Sequence, residues 1–117
     1  MEINITGRHM EITDAIRTYV TDRLSRFEED FPRVENVHVI LNVEKYRHMA
    51  EVVVQGGNHL RVESEETSDD MYVSIDGAVD KAEKQLRRAR DKVQNHNKES
   101  LAVAEVEIQA KLEPDEA

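Results

Sequence analysis

Hydrophobic positions along the chain repeat with two periods, and the switches between them mark its elements. Glu2-Ile3-Asn4-Ile5-Thr6 alternates with period two and ends at Gly7, which predicts a short first strand with Arg8, His9 and Met10 in the connection. Thr13 offers an N-cap with Asp14 in the first turn, and Ile16, Tyr19, Val20, Leu24, Phe27 and Phe31 follow at helical spacing until Pro32. Val37, Val39, Leu41 and Val43 alternate strictly within Val34 to Glu44. Lys45-Tyr46-Arg47-His48 reads as a turn, and Ala50, Val52 and Val54 resume the alternation. Gln55-Gly56-Gly57-Asn58 is a hairpin turn into a third run, Leu60 and Val62, before an acidic linker from Glu63 to Ser68. From Asp69 to Asn95 the apolar residues Met71, Tyr72, Ile75, Ala78, Val79, Ala82, Leu86, Ala89 and Val93 form one stripe of an amphipathic helix, capped by Ser68 or Asp69. The order is β-α-β-β-β-α. A right-handed first crossover leaves both helices on one face of a four-stranded sheet, an α+β two-layer sandwich.

Charge changes this picture on the second helix. Opposite its apolar stripe lie Lys81, Lys84, Arg88 and Lys92, a row of long cations three or four residues apart. From Lys81 to Lys98 there are seven basic residues, including Arg87 and Arg90, against Glu83 and Asp91. Asp80 to Lys84 and Glu83 to Arg87 are favourable i,i+4 pairs, so a solvated face and a phosphate-binding surface both fit. On the first helix Arg23 falls inside the apolar sector beside Tyr19 and Arg26. It either snorkels or lines a groove against a neighbouring helix. The exposed helix edges carrying Arg23, Arg26, Lys84 and Arg88 would then border one cationic surface.

Composition bounds the function classes. The 117 residues suit a single domain with a net charge of −9, and 99–117 hold six acids and one base, so that segment carries −5 of it. Screening over about 8 Å lets acidic and basic faces act separately, so net charge does not exclude an RNA partner. Residues 1–98 read as the folded domain and 99–117 as an acidic tail. The tail keeps a period-two pattern through Val106, Ile108 and Leu112, compatible with an added strand or a mobile arm, and mobility is favoured. With no cysteine there is no disulfide or thiol chemistry, and no apolar run spans a bilayer; a cytoplasmic protein without membrane contact is expected. The five histidines lack metal-ligand spacing, and no Ser elbow, Walker loop or dinucleotide fingerprint occurs. Asp69 with Asp70, or Asp76 with Asp80, could hold a hard cation, but helix N-terminal bias explains them. His48 reads as an exposed loop histidine and Tyr72 as core. No enzyme activity, cofactor or small-molecule substrate is expected.

Three stretches carry a resemblance: INITGRHMEITDAIRTYV, VHVILNVEKYRHMAEVVV and DDMYVSIDGAVDKAEKQLRRARDK. In collinear order over about residues 1–96 they resemble the short ribosome hibernation promoting factors, of the ribosome-associated translation inhibitor family once called sigma-54 modulation proteins. The resemblance implies a fold related to double-stranded-RNA-binding domains. It also implies binding in the decoding channel of the small ribosomal subunit, as a monomer off the ribosome. Matched by position, the family's basic residues correspond to Arg23 and Arg26 on the first helix. On the second they correspond to Lys81, Lys84, Arg87, Arg88, Arg90 and Lys92, with Lys45 at the turn. Arg47 beside it and Arg8, at a position not always basic in relatives, complete the expected ribosome-binding set. The tail from Glu99 is a departure from the shortest members and too short to be the second, dimerising domain of the long ones. A double-stranded-RNA binder acting off the ribosome and a protein-binding transcription modulator are the rival readings.

Overall fold

A computed structural model of the chain describes residues 1–98. Its elements are β1 (Glu2–Arg8), α1 (Asp14–Asp30), β2 (Val34–Glu44), β3 (Arg47–Gly56), β4 (Leu60–Ser68) and α2 (Met71–Lys98). The strands form one sheet in the order β1-β2-β3-β4, with β1 parallel to β2 and the rest antiparallel. One side of the sheet turns Val37, Val39, Leu41, Ala50, Val52, Val54 and Val62 inward. These bury against Val20, Leu24 and Phe27 of α1 and Ile75, Ala78, Val79, Ala82 and Leu86 of α2 in a single core. The α+β two-layer sandwich expected from the sequence is therefore the fold. Among the described residues the other side of the sheet carries no helix.

Several local expectations are corrected. β1 continues through Arg8, which pairs in register with Asn42, so Arg8 belongs to the strand and not to the connection. The β2–β3 turn is only Lys45 and Tyr46, because Glu44 already pairs with Arg47 and Val43 with His48. Lys45 takes φ 55 to close it. The acidic linker is strand: β4 runs to Ser68, with Ser64, Glu66 and Ser68 on the helix side and Glu63, Glu65 and Thr67 on the open side. Polar residues at the inward positions hide its alternation. Ser64 is nonetheless buried, donating to the Ala78 carbonyl at 2.6 Å.

The caps follow similar chemistry. Thr13 caps α1 as expected, its hydroxyl accepting from the Ile16 amide at 3.2 Å. On α2 the capping side chain is Asp70, one or two residues later than expected, accepting from the Tyr72 amide at 2.9 Å. Ser68 stays in β4, where its hydroxyl bonds that of Ser74 at 2.6 Å. Ser74 donates to the His48 carbonyl at 2.6 Å, which fixes the start of α2 beside the start of β3. His48 is half-buried in that strand, correcting its placement in an exposed loop. At the opposite end of the sheet a side chain on Gly56 would place its Cβ 2.0 Å from the Arg33 carbonyl, so only glycine permits that approach. The segment 99–117, and with it the expected tail, lies outside the described residues.

Candidate nucleic-acid interface

The two helices lie side by side and point the same way. Tyr19 meets Tyr72 edge-to-face at 4.8 Å near their starts, and Arg90 stacks 5.2 Å from the centroid of the Phe31 ring near the end of α1. Tyr72 is thus 40% exposed at the seam and not core. Between these contacts sits Arg23. Its Nε donates to Asp76 at 2.8 Å and its Nη2 to Asp80 at 2.9 Å, while the Tyr19 hydroxyl donates to Asp76 at 2.7 Å. Of the two sequence readings of Arg23, the groove between helices is the one observed. The pair expected between Asp80 and Lys84 gives way to it. Partial burial opposes the charge on Arg23, but hydrogen bonds and charge from Asp80 and Asp76 outweigh this and raise its pKa. The Tyr19 hydroxyl is raised above 10, first by its bond to Asp76, then by burial and that carboxylate's charge.

Other cations of the expected set also serve the fold. Lys81 reaches Glu66 at 2.7 Å and donates to the Glu65 carbonyl at 3.0 Å, and Gln85 donates to the Glu63 carbonyl at 3.0 Å. Both side chains thereby cover carbonyls along the outer edge of β4, where an open edge invites strand pairing. Arg87 pairs with Glu83 at 2.7 Å, as its i,i+4 spacing predicts, and Arg90 donates to the Asp30 carbonyl at 3.4 Å. Arg26, Lys84 and Lys92 are exposed and make no ion pair among the described residues, and Arg88 is exposed on the same outer ridge of α2 as Lys84. Arg8, Lys45 and Arg47 are exposed too, but at the other end of the molecule, around the β2–β3 turn. The structure therefore divides the expected residues into a helix-layer group, a turn group and a set engaged inside the fold. Asp76 and Asp80 escape a sequence reading because their partner stands 53 and 57 residues away; their i,i+4 spacing toward the α1 flank is the available signal. Tyr46, given no role by the sequence, is 86% exposed between Lys45 and Arg47. Among the described residues no group of acids and histidines is placed to hold a metal.

Fold and site together define a small α+β domain whose helix layer carries exposed cations above a shared core. Residues 3–94 match the Sigma 54 modulation protein / S30EA ribosomal protein family, and the chain belongs to it. Its relatives include the ribosome hibernation promoting factors of Salmonella typhimurium, 41% identical over 82% of this chain and 100% of that protein, and of Pseudomonas putida, 38% identical over 81% and 92%. Among solved structures it is similar to a ribosomal subunit interface protein from Coxiella burnetii, with a TM-score of 0.72 and 26% identity over 78% of this chain and 99% of that one. The Thermus thermophilus Protein Y N-terminal domain gives 0.69 and 38% over 75% and 98%.

Proposed function

We propose that this protein is a ribosome hibernation factor. It seats its helix layer on ribosomal RNA phosphates in the decoding channel of the small subunit, sterically excludes messenger and transfer RNA, and silences idle ribosomes in the cytoplasm. The observation that carries the reading is the 41% identity, over 82% of this chain and the whole of the relative, with a ribosome hibernation promoting factor. The exposed Arg26, Lys84 and Lys92 support it, because they have no carboxylate partner among the described residues and such cations are the ones able to release counterions from a polyanion. Arg88 and, across the fold, Arg8, Lys45 and Arg47 add to the same surface charge. The reaction is binding alone: a plug acts while it is bound and stops acting when it leaves. Sedimentation of purified small subunits with the protein, beside a translation assay, tests this. Cosedimentation in step with inhibition is expected. A free RNA duplex that competes as well as the subunit would favour a double-stranded-RNA binder acting off the ribosome and would overturn the proposal.

A further inference from the structure

The β2–β3 turn has a shape that its own stability does not explain. Two-residue hairpin turns favour Asn-Gly and similar pairs, because the chain must enter the left-handed region. Here Lys45 occupies that region with φ 55, and the apex residue is Tyr46, the most exposed of the large hydrophobic side chains at 86%. Arg47 follows, also exposed, while Glu44 stands opposite it in the register. β2 and β3 are paired without a break from Val37 and Val54 to Glu44 and Arg47, so the apex is held on a stiff arm. Strain kept at a tip that displays an aromatic ring between two cations suits a contact outside the fold.

We propose that Tyr46 is a stacking finger for an unpaired RNA base, with Lys45 and Arg47 meeting the flanking phosphates. A nucleobase offers the ring a flat apolar face, and its backbone offers the cations a charge of the right sign; few other ligands combine the two. The site rests on the ribosomal reading above and adds to it the RNA feature recognised. Ser74, fixed beside His48 at the base of the arm, stands about 27 Å along α2 from Lys92. The finger is a separate contact from the helix-layer cations.

The test compares wild type with Tyr46→Ala, Tyr46→Phe and Tyr46→Trp on purified small subunits and on a single-stranded oligo(A) probe. The chain contains no tryptophan, so Tyr46→Trp reports from one place. The expected result is a loss of subunit affinity of about 5- to 150-fold for Tyr46→Ala, the range for removing one base–aromatic stack. Tyr46→Phe should bind like wild type, the salt dependence of Tyr46→Ala should match wild type, and the tryptophan should be quenched on binding. Undiminished binding by Tyr46→Ala overturns the finger and leaves the ribosomal reading standing. Equal losses in Tyr46→Ala and Tyr46→Phe would assign a hydroxyl contact, and loss without quenching a protein contact; either overturns the stack. If wild type fails to bind subunits, the ribosomal reading falls, and the finger is then decided by whether oligo(A) quenches Tyr46→Trp.

Discussion

At the scale of single residues, cations of one charge and similar spacing divide into two kinds of work. Arg23 ties two carboxylates of α2 to α1, with its side chain only 23% exposed. Arg23→Ala leaves Asp76 and Asp80 facing the seam without their shared partner. Because Asp80 is largely exposed, that arm contributes little and Asp76 with Tyr19 most, so a loss of about 1–2 kcal/mol is expected. For a domain of this size each kcal/mol lowers Tm by about 4–8 °C, which thermal unfolding will read. Arg23→Lys should recover little of it, since an ammonium cannot span both carboxylates as a guanidinium does. Lys84 and Lys92 are the contrast. Lys84→Glu with Lys92→Glu touches no ion pair among the described residues, so stability should stay within about 0.5 kcal/mol while subunit binding collapses. A large fall in Tm for that double variant would make the exposed row structural.

At the scale of elements, the interhelical seam carries a pH signature. The fold raises the Tyr19 pKa through its bond to Asp76, so it favours the neutral phenol. That contribution is full below the unfolded value near 10 and is lost as pH rises through the folded value. The stability difference between wild type and Tyr19→Phe should therefore hold constant at neutral pH and shrink above about pH 10, measured by denaturant unfolding at each pH. A constant difference into strong alkali would mean the bond to Asp76 contributes nothing. The same seam shows what the sequence makes legible. β2 and β3 are plain because Val, Leu and Ala fill every fully inward position, and α2 because its apolar stripe is continuous. β4 is hidden because after Val62 its inward residues are Ser64, Glu66 and Ser68, satisfied by Ala78, Lys81 and Ser74 of α2. Local periodicity cannot see a partner on another element. For the same reason the row of cations is visible in the sequence, but not which of them the fold consumes.

At the scale of the whole molecule, both sides of the sheet mix charges. Glu2, Glu51, Glu63 and Glu65 share the open face by their alternation with Arg8, Arg47 and Arg61, whereas Arg26, Lys84 and Lys92 stand on the helix side with no ion pair among the described residues. Residues 99–117 carry −5 of the chain's −9, leaving −4 on the rest. If binding draws on about five phosphate contacts from the helix layer and the turn, log K should fall with log salt at a slope near −4. Affinity should then drop roughly 250-fold between 50 and 200 mM salt. Removing Lys92 alone should lower the slope by about one. Deleting 99–117 should tighten binding at low salt by reducing repulsion, and the gain should fade as screening shortens toward 8 Å. The slope of the truncated chain should be only slightly steeper, since its phosphate contacts are the same and the repulsion that salt would have screened is gone. Titrations of both chains against small subunits across that salt range, with translation inhibition followed in parallel, decide the matter. Inhibition that outlasts binding at high salt would rule out a steric plug, because a protein acting by occupancy alone has no effect once it has left.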